Sequence, residues 1–490
     1  MASHELVLHG GRVIDPESGL DAFRDVGIDG GSISAISVEP LEGDTMIDAT
    51  GLVVAPGFID LHSHAQTLSG RRLQACDGVT TALDLEAGRA HIGDAYAAEA
   101  REGSPINYGF SASWAAIRMQ AVGGLNPQAG SDGVLGLLGD LRWQGPATTE
   151  QLSVILQALS DELGAGAIGI GLLMGYAPGV DPDEYLAIAR LAADVGAPTF
   201  THCRDLIEMS PETLIDGPEE LVRAAGETGA HMHHCHVNST SLRHIDRVLA
   251  LMERCRAEGG RVSVEAYPYG SGATAIGAAF LSPERLAEHR LVPSSLRYLA
   301  TGERVADEAR LRELRELDPG GVVIVDFLDE DSAADRRLLR RSLAFEGAIV
   351  ASDAMPLVSA SGQLDPAAWP PPPGAVTHPR TAGCFSRAMR LWREEGKPLL
   401  DALASCTLGP ARVLEASAPA MRAKGRVQQG ADADLLVFDH GRITDQATYE
   451  DSTRRSLGIR HVLVHGTVVV LDGDLVAAAR PGRPVRAVPR

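Results

Sequence analysis

From Pro56 onward, short apolar runs alternate with stretches whose apolar residues recur every three or four positions, and this alternation limits the fold more than any other feature of the chain. Eight runs qualify as strands: Phe58 to His62, Thr80 to Leu85, Ile106 to Ala112, Ala167 to Leu173, Pro198 to His202, His231 to His236, Val262 to Ala266 and Ala348 to Ser352. Stretches such as TTEQLSVILQALSDEL and PDEYLAIARLAADVG lie between them and carry the apolar stripe of an amphipathic helix. Eight such units predict an α/β fold, a closed parallel (β/α)₈ barrel of the TIM type.

The barrel is expected over residues 56–424, with an insertion at about 273–347 that carries an extra strand, VVIVDF, and a charged helix, SAADRRLLRRSLAFEG. Residues 1–55 read as short strands broken by Gly and Asp turns, and residues 425–490 return to the same texture. Both flanks are therefore expected to meet as one small discontinuous β-sandwich. The 53 glycines and 28 prolines suit a chain with many tight connections.

A formal charge of -21 argues against wrapping a polyanion, so DNA and RNA are not expected partners. The six cysteines are scattered and read as reduced thiols. The opening MASHELVLHGGRVID lacks a basic segment followed by an apolar run, and no stretch approaches the ~18 apolar residues of a membrane helix. A cytoplasmic protein with no membrane partner is the expectation, and a homo-oligomer is one form it could take.

Chemistry gathers at the strand ends. PGFIDLHSH places His62 and His64 two residues apart, on one face of a strand and at the end where barrel active sites lie. Two imidazoles so placed can grip a metal ion, although H-x-H alone also suits an ordinary polar turn. His202 in APTFTHCRD, His236 in HMHHCHVNS and Asp353 in AIVASDAMP recur at the ends of later strands. Singly, each could be a hydrogen-bonded histidine or a helix cap; together they point to a shared ligand. In the cluster of His231, His233, His234 and His236, alternation puts His234 on the face of His236, as a supporting group, and leaves His231 and His233 structural. GAGAIG at 164–169 fits a dinucleotide fingerprint in letters only, because a helix precedes it and a strand follows.

In their order GRVIDPESG, PGFIDLHSH, DGVTTAL, GAIGIGLLMGYAPG, THCRD, EAYPYGSG, SDAMP, HPRTAGCFSR, TLGPARVL and GRVQQGADADLLVFD, the motifs span nearly the whole chain. The sequence thereby resembles the amidohydrolase superfamily and, within it, the N-acyl-D-amino-acid deacylases (D-aminoacylases). The resemblance implies a zinc site of one or two ions, with another divalent metal as a variant. It makes His62, His64, His202 and His236 ligands and gives Asp353 a double role as ligand and catalytic proton carrier. Where that family has a cysteine after the second strand, this chain has none and offers Glu86, a competent zinc ligand or bridge whose other reading is a hydrogen-bonding role at the barrel mouth. Where a lysine is expected, it has Asn238. Arg204 remains suited to a substrate carboxylate or to a salt bridge with Asp205 or another acid. Tyr267 could donate to the carbonyl oxygen or pack in the core. His378 and Arg380 match the family and could bind substrate or fix a loop.

The expected activity is hydrolysis of an amide bond in a small, carboxylate-bearing N-acyl-D-amino acid by metal-activated water. Opening of a cyclic amide or cleavage of a small peptide-like substrate competes with it. A barrel retained as a non-catalytic scaffold is the reading from another class.

Overall fold

A computed structural model of the chain describes residues 3–127, 133–360, 362 and 364–489. The barrel strands are β1 (Phe58–Asp60), β2 (Val79–Arg89), β3 (Asn107–Ser113), β4 (Ile170–Leu173), β5 (Pro198–His202), β6 (His231–His234), β7 (Val262–Ala266) and β8 (Ile349–Val350). Each pairs in parallel with its sequence neighbour, so the order in the sheet is the order in the chain. Helices such as Thr149–Gly164 and Pro182–Asp194 make the crossovers, each opened by a side-chain cap from Thr148 or Asp181. The helix before β4 and the strand after GAGAIG leave no dinucleotide turn there.

Among the described residues no ladder joins β1 to β8. The seam is closed instead by the buried Asp60 carboxylate. It accepts the Ser352 N–H at 2.9 Å, the His62 N–H at 3.2 Å, the Gln74 amide at 2.7 Å and the Ser352 hydroxyl. The His64 N–H also donates to the Ala354 carbonyl at 2.7 Å. The β1–β8 junction, which carries three of the expected ligands, is thus held by the Asp60 carboxylate together with a backbone bridge between Ser63 and Ala354.

Ile59, Leu61, Leu83, Leu85, Phe200 and Ile349 form a core cluster, while Phe58, Ala82 and Phe110 belong to a second cluster with the surrounding helices. This is the period-two alternation of a strand covered on both faces. The termini form one mixed nine-stranded sheet, in which Val53–Pro56 pairs antiparallel with Leu435–Phe438. Buried Lys424 lies 2.8 Å from Asp432 and 2.6 Å from Asp434, and Asp434 accepts the Asn107 amide of β3 at 2.8 Å, fastening this sheet to the barrel.

The insertion holds more structure than its sequence suggests. VVIVD (Val322–Asp326) is joined by Ser271–Ala275, Leu296–Tyr298 and Glu303–Arg304 in a four-stranded antiparallel sheet. SGATA and the short segments lack the β-branched and aromatic run that marks a strand, so partners supply what propensity does not. All six cysteines are free and buried. No helix of the described residues is long and apolar enough to cross a membrane.

Candidate metal centre

The strand ends deliver five histidine and carboxylate side chains to the carboxylate of Glu86, which lies inside β2 rather than beyond it. Glu86 Oε2 is 3.2 Å from His62 Nε2 and 3.4 Å from His64 Nε2. Its other oxygen, Oε1, is 2.7 Å from His236 Nε2 and 3.1 Å from His202 Nδ1. One carboxylate therefore stands between two imidazole pairs. Asp353 closes the first pair, with Oδ1 at 3.4 Å from His62 Nε2 and 3.6 Å from His64 Nε2, while its Oδ2 is 2.8 Å from Arg380 Nη2.

The donor set fits divalent metal. His62 Nδ1 faces Glu265 Oε1 at 2.5 Å and His64 Nδ1 faces Asp84 Oδ1 at 3.3 Å, contacts that put the ring protons on Nδ1. Both Nε2 lone pairs then point at each other across 3.0 Å. Two lone pairs that close require a cation between or beside them, whether proton or metal. The groups His62, His64, Glu86 and Glu86, His202, His236 each keep their ligand atoms within 4.8 Å of one another, an imidazole and carboxylate chemistry suited to zinc. Burial opposes a charge on His62, but Glu86, Glu265 and Asp353 outweigh it and raise its pKa well above the ordinary range. Burial likewise opposes ionisation of Glu86, and the fields of His62 and His236 nonetheless hold it well below the usual carboxylate range. Surroundings that favour a proton on His62 favour any cation.

Backbone strain marks the same residues. His236 has φ 31° and Asp353 φ 49°, in the left-handed region that costs a side-chain-bearing residue about 1–3 kcal/mol. This turn ends β6 at His234, so alternation does not carry through to His236. His234 is therefore not joined to His236 by strand alternation: His234 Nε2 meets Thr240 Oγ1 at 3.0 Å, and Thr240 in turn reaches the His236 carbonyl at 3.4 Å. His233, read as structural, meets Glu265 Oε2 at 2.9 Å, and Glu265 in turn meets His62. Glu265, Asp84 and Ser239, which meets His236 Nδ1 at 3.0 Å, were not read from sequence. A charged residue in the apolar run VSVEA was the available signal for Glu265.

A cavity of about 140 Å³ opens over the cluster, with Leu135, Leu138, Met209, Phe280, Leu281 and Phe327 in its largely apolar wall. Arg204 lines it: Nε pairs with Glu220 at 2.8 Å and Nη1 donates to the Pro178 carbonyl at 3.0 Å, while its buried Nη2 has no hydrogen-bond partner among the described residues. Asn238 is fully buried, and its amide group contacts the backbone of Tyr267 and Tyr269, so it positions that loop. His378 receives the Arg380 N–H at Nδ1, 3.1 Å away, and meets Ser271 Oγ at 2.9 Å, tying the insertion to helix Arg380–Glu395. Burial first, then Arg380 and Arg387, push its pKa well down. Arg380 packs its guanidinium 4.5 Å from the Tyr267 ring centre. Among the described residues, the Tyr267 hydroxyl and the Arg380 Nε and Nη1 have no hydrogen-bond partner although buried. Both face Gly272 in the cavity wall, where an added Cβ would come within 3.0 Å of the hydroxyl and 3.7 Å of Nη1.

A model of the amidohydrolase family matches residues 45–470. An N-acyl-D-glutamate deacylase of Alcaligenes xylosoxydans xylosoxydans is 30% identical over 98% of this chain and 96% of its own length. A D-aminoacylase of the same organism is 28% identical over 95% and 94%. Among solved structures, an N-acyl-D-glutamate deacylase of Bordetella bronchiseptica, complexed with zinc and a phosphonate inhibitor, superposes with a TM-score of 0.75 at 24% identity, covering 99% of this chain and all 100% of that one.

Proposed function

Since this chain belongs to the amidohydrolase family, we propose that its Glu86-centred cluster is a metal centre that hydrolyses the amide bond of an N-acyl-D-amino acid. The observation that carries the reading is the carboxylate itself: each Glu86 oxygen faces its own pair of imidazoles, the layout of a bridge between two ions. His62, His64 and Asp353 would hold one ion, and His202 and His236 the other. Zinc or another divalent cation, when bound, supplies Lewis acidity that polarises the amide carbonyl and makes water a nucleophile near neutral pH.

The chain's own groups do the rest. Asp353 Oδ1 takes the proton of the attacking water and returns it to the departing nitrogen, which would otherwise have to leave as an amine anion, too poor a leaving group. Arg380, at Oδ2, fixes the direction in which Asp353 points. The slot beside Gly272 receives the substrate carboxylate, with Tyr267 donating to it and Arg380 neutralising it. Asn238 holds the Tyr267 backbone beside that slot, His378 anchors its insertion side, and Arg204 lines the wider cavity.

A scaffold without activity would have no reason to retain a complete ligand set on strained backbone. Zinc-loaded protein should release amine from N-acetyl-D-amino acids, leave the L-enantiomers and hydantoin intact, and lose activity on chelation. Asp353→Asn should keep its metal and lose about 10²–10⁴-fold in kcat. Faster turnover of hydantoin than of any acyl amino acid would replace the linear substrate with a cyclic one, and an active Asn variant would remove Asp353 from its role.

A further inference from the structure

The barrel interior contains a polar column that the reaction above does not use. Ser263 and Glu265 lie on one face of β7, and His231 and His233 on the facing side of β6, with His233 opposite Ser263 in the ladder. His231 Nε2 meets Ser263 Oγ at 2.8 Å, and Ser263 Oγ meets His233 Nδ1 at 2.7 Å. His233 Nε2 meets Glu265 Oε2 at 2.9 Å, and Glu265 Oε1 meets His62 Nδ1 at 2.5 Å. The column runs inward from half-buried His231 and ends on a ring of the metal cluster.

Such a column is expensive where a leucine would otherwise fill the lumen, because a buried ion pair seldom stabilises a fold more than an apolar pair of equal volume. Glu265 is 1% exposed and is nonetheless fully partnered. Its placement has a specific effect. By accepting a hydrogen bond from the Nδ1–H of His62 it fixes the ring's tautomer and rotation, leaving Nε2 as a lone pair aimed at Glu86. The same oxygen accepts the backbone N–H of His236 at 3.2 Å. One atom thus holds a ligand from each side of the Glu86 bridge. Cys235 lies close enough for His62, Cys235 and Glu265 to form a metal-like group, but 2.5 Å between Nδ1 and Oε1 is a hydrogen bond and leaves no room for an ion between them.

We propose that Glu265 is a positioning residue for metal binding: it presets His62 Nε2 and the His236 backbone, and the His233–Ser263–His231 column keeps its carboxylate in place. This inference rests on the metal centre proposed above. It is tested by cobalt(II) alone, without substrate, through binding affinity and the visible spectrum, for the wild type, Glu265→Gln and the double variant Glu265→Leu/His233→Leu. The double variant removes the buried Glu265–His233 pair but leaves the His62 ring N–H and the His236 backbone N–H without their acceptor, so its melting temperature is read beside its cobalt affinity to separate support of the fold from presetting of the ligand. The expected result is a folded double variant that melts somewhat below the wild type and binds cobalt about 10–100-fold more weakly with an altered spectrum. Glu265→Gln, which keeps the shape and one acceptor, should show a smaller loss in the same direction, and it decides the matter if the double variant does not fold. Affinity and spectrum unchanged in a folded variant overturn the inference while leaving the metal centre standing. A wild type that binds no cobalt overturns both.

Discussion

Glu86 does what no single imidazole could: it offers two oxygens on opposite sides, so that four histidines from three strand ends can share one anion. Replacing it with alanine should lower metal affinity by at least the 10–100-fold that loss of a mere outer partner costs, and metal content after gel filtration would show it. Retention of two equivalents by that variant would rule out the bridge. The histidines and Asp353 were legible because a polar residue at the mouth end of an apolar strand has few other reasons to be there. Glu86 was legible only against a family pattern that has cysteine nearby, since its own strand runs on to Arg89 and nothing local marks it as an end. Glu265 escaped because a carboxylate paired inside the lumen leaves no trace in spacing, and Arg380 was named as a residue that could bind substrate or fix a loop, without its contact to Asp353, because that contact spans separate elements.

Elements set these residues in place through close backbone approaches as much as through side chains. Gly171 of β4 lies so near β2 that an added Cβ would sit 2.2 Å from the Glu86 carbonyl oxygen and 2.6 Å from that of Leu85. Neither backbone atom can swing aside as a side-chain tip could. Gly171→Ala should therefore displace the end of β2, cost about 1–3 kcal/mol in a urea titration, and weaken metal binding although every ligand remains. Unchanged metal affinity in this variant would mean that β2 has slack at Glu86. The eight barrel strands were readable from alternation and length, but the insertion sheet was not: three of its four strands rely on their partners, and two have three residues or fewer. Those strands matter for function, because Gly272, Ala273 and Thr274 form the cavity wall facing the metal cluster.

At the scale of the molecule, the N-terminal hairpin and the segment after the barrel are held together by charge as well as by their shared sheet. Glu17 accepts Arg426 Nε at 2.7 Å and Nη2 at 2.9 Å, with Gln428 at 3.1 Å and Arg412 at 3.3 Å, while the neighbouring Asp15 accepts the Val427 N–H at 3.1 Å. Hydrogen bonding by Arg426 in the first place lowers the Glu17 pKa from 4.5 to about 2. A carboxyl whose folded value lies below its unfolded value binds its proton more tightly when unfolded. Its contribution to stability is complete above about pH 4.5 and is lost as pH falls toward 2. Glu17→Gln, which cannot ionise, should be less stable than the wild type at pH 6, and the gap should close on acidification through that window. Urea midpoints of metal-free protein between pH 6 and 3 would follow it. Because Glu17 is about 30% exposed and water reaches the pair from its side, the gap at pH 6 should be modest, on the order of 1 kcal/mol. A gap independent of pH would show that Glu17 holds the two ends by shape and hydrogen bonding rather than by charge.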